Sequence, residues 1–151
     1  MATLVGTQKN FADALKALIE LDYDAIEAYK AAIDRLENEN YKNELTKFKA
    51  DHQRHVQQLN AILRSRGEKE IEGPSGKQWL TKGKVVIADI FGDDSIMQAM
   101  HSNEEDTNSA YERMNNHADK WPEAVEVLKQ GLRDEKHHKQ WIEEHGGAPI
   151  L

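Results

Sequence analysis

The stretch Leu21-Asp22-Tyr23-Asp24-Ala25-Ile26-Glu27-Ala28-Tyr29 decides the fold. It lies inside a longer pattern in which Phe11, Leu15, Leu18, Asp22, Ala25, Tyr29, Ala32 and Leu36 recur at alternating steps of four and three. That spacing is the seam of a helix packed nearly parallel to its neighbours. It predicts a first helix over residues 10–36. One seam position, Asp22, is a carboxylate among apolar and aromatic side chains. The pattern stops at Glu37-Asn38-Glu39-Asn40, residue types suited to caps and turns.

The same period recurs three more times. Leu45, Phe48, His52, His55, Leu59 and Ile62 define a second helix over about 41–65, with Gly67 as its terminator. Met97, Met100, Glu104, Thr107, Tyr111, Met114 and Ala118 define a third over about 94–119, with Asp93, Asp94 and Ser95 as cap candidates. Trp121-Pro122 restarts the chain, and proline suits a first helical turn. A fourth helix then runs over about 122–145, with Leu128, Leu132, Glu135, His138, Ile142 and His145 facing inward and Gly146-Gly147 ending it. Residues 66–93 form a long crossover with a turn-rich break at Glu72-Gly73-Pro74-Ser75-Gly76. Within it, a short helix packing onto the bundle and a β-strand at Val85–Ile90 are both open readings. The expectation is an all-α, single-domain four-helix bundle over residues 1–151, built from two helical hairpins.

Composition narrows the function. The 151 residues carry a formal net charge of −7, which disfavours binding to nucleic acid or an anionic membrane. The chain has no cysteine, so a metal site has to use histidine and carboxylate. No apolar run approaches the roughly 20 residues of a membrane span, and the first residues do not read as a signal peptide, so the expected location is cytoplasmic.

The two hairpins repeat each other. A shift of 82 carries Asp22 to Glu104, Asp24 to Asp106, Ala28 to Ala110 and Tyr29 to Tyr111. A shift of 83 carries Asp51 to Asp134, His52 to Glu135, His55 to His138 and Leu59 to Ile142. Apolar matches arise between any two amphipathic helices, but coincident Asp, Tyr and His are harder to obtain by chance. Asp22, His52, His55, Glu104, Glu135 and His138 all occupy seam positions near the middle of their helices. Antiparallel hairpins bring those midpoints level, so the six groups should meet in one buried layer. Unpaired buried ions cost several kcal/mol each, against a total domain stability of about 5–15 kcal/mol. The layer must therefore close a hydrogen-bond network, bind cations or line a wet cavity. Residues three apart share a helix face, so His52 can converge with His55, and Glu135 with His138. Glu-x-x-His on two helices with a carboxylate from each of the others is the ligand plan of di-iron and di-manganese carboxylate bundles.

With these motifs the chain resembles the ferritin-like superfamily, which includes rubrerythrins and bacterioferritins, and within it the bacterial ferritin-like domains of unknown function. The resemblance covers roughly residues 10–145. It rests on Leu21–Tyr29, on Asp51-His52-Gln53-Arg54-His55, on Asn103-Glu104-Glu105-Asp106-Thr107-Asn108 with Tyr111, and on Asp134-Glu135-Lys136-His137-His138. In rubrerythrin-type helices the ligand Glu precedes a Tyr by seven residues, which selects Asp22 and Glu104 here, with Glu20 and Glu27 as alternatives on the first helix. The resemblance implies one or two metal ions, with iron as the first choice and zinc or manganese as alternatives, and peroxide- or oxygen-dependent iron oxidation in stress protection. The implied ligands are Asp22, His52, His55, Glu104, Glu135 and His138. Two positions depart from the family pattern: Asp22 stands in place of Glu, and His52 in place of a bridging Glu. The second half, Glu104 with Glu135 and His138, is intact.

A non-catalytic interaction bundle with a metal-free polar core is the alternative. Metal ions are the expected partners, and a homodimer the expected assembly. Asp51 and Asp134, beside the seam, either orient a ligating histidine or face solvent. Tyr29 and Tyr111 read as packing groups with a satisfied hydroxyl, and His101 and His137 read as surface residues.

Overall fold

Asparagines set the starts of the first two helices. In a computed structural model describing residues 3–77, 79 and 91–147, the Asn10 side chain accepts the Asp13 N–H at 3.0 Å and α1 runs Phe11–Arg35. Asn38 does the same for the Tyr41 N–H at 3.1 Å and opens α2, Glu39–Ser65. Each such cap stabilises by roughly 1 kcal/mol. After α2, Gly67 takes φ 72°, a left-handed conformation that glycine adopts without steric cost. The third helix, α3, spans Asp93–Asn115. A 3-10 turn at Pro122–Ala124 leads into α4, Val125–Ile142, and a kinked turn at Glu143–Gly147 follows it. Among the described residues there is no strand, and the four helices form an all-helical bundle. The question of helix or strand at 85–90 lies outside the described residues.

Several local expectations are corrected. Asp93 does not cap α3, whose N-cap Gly92 makes no side-chain cap bond. Its carboxylate instead accepts the N–H groups of Glu37 and Asn38, both at 2.9 Å, and ties the α1–α2 turn to the start of α3. α3 ends at Asn115 rather than near 119, and Ala118 is exposed rather than in the seam. The cause is local: the Asn115 amide donates to the carbonyls of Tyr111 at 2.7 Å and Leu128 at 2.9 Å, and His117 turns back onto the Gln8 carbonyl at 2.7 Å. His145 and Leu132 are only half-buried. His145 lies in the closing turn, its ring stacked 4.0 Å from Trp141.

The core has two apolar blocks. Leu15, Leu18, Leu59, Leu63, Met114 and Leu128 are fully buried at the end where α1 and α4 begin. Leu45, Ile96, Met97, Met100 and Ile142 are fully or almost fully buried at the other end. Burying a side chain of this kind is worth roughly 1.5–3 kcal/mol. Between the blocks lies the polar layer. The described part of the crossover is pinned beside it: the Asn60 amide exchanges two bonds of 2.9 Å with the backbone of Ile71, whose carbonyl also accepts the Tyr23 hydroxyl at 3.2 Å. No described helix is long and apolar enough to cross a membrane.

Candidate metal centre

All six residues read from the seams lie in one layer, each no more than 1% exposed. Asp22 supplies the α1 carboxylate. Glu20, the first alternative, accepts the Trp79 indole N–H at 3.2 Å, and Glu27 is exposed.

The layer has an approximate twofold symmetry, and its hydrogen bonds cross from one half to the other. The Tyr29 hydroxyl donates to Glu104 Oε1, and the Tyr111 hydroxyl donates to Asp22 Oδ2 at 2.7 Å. His55 Nε2 pairs with Asp134 Oδ2 at 2.8 Å, and His138 Nε2 with Asp51 Oδ2 at 2.7 Å. In each set of pairs the residue number rises in one helix as it falls in the other, 22 with 111 and 29 with 104, 51 with 138 and 55 with 134, so α1 runs antiparallel to α3, and α2 to α4. The Tyr111 ring reaches its place because residue 131 is glycine; a Cβ there would overlap the ring.

The inner ring of contacts is less symmetric. His52 Nδ1 donates to Asp22 Oδ1 at 2.7 Å, and His55 Nδ1 approaches the same oxygen at 3.3 Å. Glu104 accepts from Thr107 at 2.8 Å and from His138 Nδ1 at 3.1 Å, besides Tyr29. Glu135 differs. His52, His55 and His138 each approach it only at 3.5 Å, and neither of its carboxylate oxygens has a hydrogen-bond partner among the described residues. His52 Nε2 likewise has none, and lies 3.8 Å from Glu104 and 3.5 Å from Glu135.

The charges follow from these distances. Burial disfavours the charged form of every group here, and the neighbours then decide. For His52, burial is outweighed by Glu135, Asp22 and Glu104, and its pKa rises to about 10. For His55, Asp134 and Asp22 outweigh burial and raise it to about 9. His138 is held well above its ordinary value, against burial, by Glu104 and Asp51. Burial would raise Asp22 and Glu104, but the imidazoles hold both below the usual carboxylate range. Glu135 is the exception: burial and the nearby Glu104 charge push it up to about 7. Tyr29 and Tyr111 are raised well above normal by burial and by their carboxylate acceptors, so both remain donors. The carboxylates Asp22, Asp51, Glu104, Asp134 and Glu135 therefore need positive charge, which imidazolium protons or a metal ion can supply.

Two sets of donors have the geometry to hold a cation. Asp22, His52, His55 and Glu135 form one, and His52, Glu104, Glu135 and His138 the other; within each, the ligand atoms lie within 4.8 Å of one another. His52 and Glu135 belong to both.

Sequence reading missed several participants. Thr107 lay in the predicted seam, but its bond to Glu104 did not follow from period alone. Arg54 lies over the layer, bonded to Asp51 at 3.3 Å and to Asp134. Asn108 donates to the carbonyls of Glu104 at 2.7 Å and Glu135 at 3.0 Å, joining α3 to α4 at the level of the site. His101, expected at the surface, is buried and bonded to Glu143 at 2.8 Å. Asp106 is also buried, but it accepts the Thr3 N–H at 3.2 Å, away from the layer. The repeat did signal Asp51 and Asp134.

Residues 10–117 match a family described as Domain of unknown function (DUF2383). No curated protein and no solved structure matches the chain.

Proposed function

The chain belongs to the family described as Domain of unknown function (DUF2383), and we propose that its central layer is a metal centre of ferritin-like type that holds one divalent cation tightly. The observation that carries this reading is Glu135: a fully buried carboxylate whose two oxygens have no hydrogen-bond partner among the described residues. Leaving such a group unmet costs more than a typical hydrogen bond returns. His52 Nε2, also buried and unpartnered, faces the same carboxylate. A cation between them answers both.

The ligands of that ion are His52 Nε2, Glu104, Glu135 and His138 Nδ1. The outer bonds favour these nitrogens. Asp51 occupies His138 Nε2 and so leaves Nδ1 for metal, while Asp22 occupies His52 Nδ1 and leaves Nε2. Asp22 is then a partner that orients His52, rather than a ligand of the tight ion. The other set, Asp22 with His55 and Glu135, can take a second ion only if Asp22 releases His52, so it is the weaker. Two imidazoles and two carboxylates suit iron, zinc or manganese, and the resemblance to rubrerythrins favours iron. Bound iron would supply one-electron chemistry towards peroxide or oxygen, in keeping with stress protection. Tyr29 and Thr107 hold Glu104 in place for that ion, and the apolar blocks keep bulk water from it.

A second reading has its own observation. Asp22 already accepts from three groups and Glu104 from three, so much of the layer closes without a metal. On that reading the layer only fixes helix register. Metal analysis by plasma mass spectrometry, on protein purified without added metal, separates the two. The metal centre predicts roughly one ion per chain and a lower melting temperature after chelation. No bound metal, with a melting curve unmoved by chelator and by added iron, zinc or manganese, would leave the register network.

A further inference from the structure

A site this deeply buried needs a way in. The α1–α3 seam is closed by Tyr29 and Tyr111, each 1% exposed, and by Ala25, Ala28 and Ala110. The α3–α4 seam is stitched by Asn108 and Asn115, each of which donates to a carbonyl on both helices. Among the adjoining helix pairs the α1 and α2 backbones run together most closely, and those of α2 and α4 least, with side chains filling the seam between them. It is also between α2 and α4 that the polar network reaches solvent. His55 and His138 are at most 1% exposed, while the side chains of their outer partners Asp134 and Asp51 are 13% and 28% exposed, and that of Arg54 is 40% exposed. One guanidinium covers both carboxylates.

We propose that the α2–α4 window is the route by which a divalent cation reaches the buried centre, with Asp51 and Asp134 as its first ligands and Arg54 as a tethered cation that must be displaced. This rests on the reading of the layer as a metal centre. The chemistry is competition for the same oxygens. A hydrated cation gives up water where protein ligands such as carboxylates replace it, and the outward carboxylates here are already held by a fixed positive charge. Asp134 Oδ2 is shared between Arg54 and His55. An ion taking Arg54's place on that oxygen is one side chain from His55, and an ion on Asp51 is one side chain from His138. Arg54 has no counterpart in the repeat; a shift of 83 reaches His137, which is exposed and on neither aspartate's bond network. The guard is therefore a feature of one face, serving both halves of the site.

A guard changes rates in both directions and leaves equilibrium nearly alone. The test follows cobalt(II) uptake by its visible absorbance in a stopped-flow instrument, and cobalt loss to excess chelator, for the whole chain and for Arg54→Gln and Arg54→Lys. The two contacts are of the exposed kind, so Arg54→Gln should accelerate both uptake and loss by about five- to tenfold. Arg54→Lys, which keeps the charge but not the fork, should fall between. The dissociation constant should move by less than about twofold. Unchanged rates in Arg54→Gln would overturn the proposal, and slower uptake in Glu105→Gln or Glu112→Gln would then move the route to the open groove between α3 and α4 that those residues line. A weaker dissociation constant with uptake unchanged would make Arg54 a positioning residue acting through the aspartates, and would equally overturn it. If the native chain takes up no cobalt, the metal reading itself fails, a result distinct from either.

Discussion

The two hairpins have nearly the same parts and differ where it matters most. Each places a carboxylate on its first helix, a tyrosine seven residues later, and an aspartate and a histidine on its second helix. The crossed bonds treat the halves alike: Tyr29 to Glu104 and Tyr111 to Asp22, His55 to Asp134 and His138 to Asp51. Among the six buried layer residues the halves differ in Asp22 against Glu104 and His52 against Glu135. The shorter Asp22 is drawn onto His52 at 2.7 Å, whereas Glu135 has no such partner. The first half has committed its carboxylate to its own histidines, and the second has kept one in reserve. On the metal reading, equivalent backbone positions would thus make a strong and a weak half-site.

The largest expected effect comes from removing that reserve. Glu135→Ala deletes a ligand of both donor sets and should lower metal affinity by more than about 100-fold. Asp22→Asn disturbs an outer partner of His52 and should cost about tenfold. Metal titration of both variants checks this. Equal losses would mean that Asp22 is itself a ligand and the halves are matched.

The next test rebuilds the symmetry. A carboxylate can span two ions, whereas an imidazole gives one nitrogen to one metal. His52→Glu restores a Glu-x-x-His pair on α2 and frees Asp22. Iron bound per chain should rise from roughly one towards two. The added buried charge should destabilise the metal-free variant by about 1–3 kcal/mol, and metal should recover it. If the native chain already binds two irons tightly and the variant binds fewer, His52 is a working ligand of both ions.

How far this asymmetry could be read in advance depends on what kind of information each residue carries. The period of four and three specifies which face of its own helix a side chain occupies, so Asp22, His52, His55, Glu104, Glu135 and His138 were all recognisable as a buried layer. The repeat marked Asp51 and Asp134. Period says nothing about register between helices, and so the crossed partners of Tyr29 and Tyr111 were not legible. Arg54 has the appearance of a solvated charge, because its role depends on two aspartates that meet only after folding. His101 is buried and bonded to Glu143, from the turn after α4, and no helical pattern describes that turn. Asp93 looked like a cap because its sequence position suited one; its partners are 55 and 56 residues away.

On the metal reading, proton and metal compete for the same layer, which gives a pH test. In the chelated protein His52 and His55 have pKa values raised to about 10 and 9, above an unfolded value near 6.5. Their contribution to stability is complete below about pH 6.5 and is lost as pH rises through those folded values. Glu135, raised to about 7, loses its contribution earlier, as pH rises from its ordinary value towards 7. Metal binding runs the other way, since its ligands must be deprotonated. The gap in melting temperature between metal-loaded and chelated protein should therefore widen from pH 6.5 to pH 9. A gap that narrows over that range would show that the imidazoles are not metal ligands.

The smallest expected difference, and the finest test of the two halves, lies in the tyrosines. Tyr29→Phe and Tyr111→Phe each keep the ring and remove one buried donor to a carboxylate. In the chelated protein both should cost about 1.5–3 kcal/mol, because hydrogen bonds to charged groups are worth that much and the two environments mirror each other. With metal bound the equivalence should end. Tyr29 holds Glu104, a proposed ligand of the tight ion, so its loss would act one bond from the metal. Tyr111 holds Asp22, which orients His52, so its loss acts one step further away. Tyr29→Phe should lower metal affinity by about tenfold and Tyr111→Phe by a few-fold at most. Chelated melts establish the matched cost, and metal titrations then read the difference. Equal affinity losses beside equal stability losses would mean that Asp22 and Glu104 stand at the same distance from the metal, and the centre would be a symmetric pair in spite of His52.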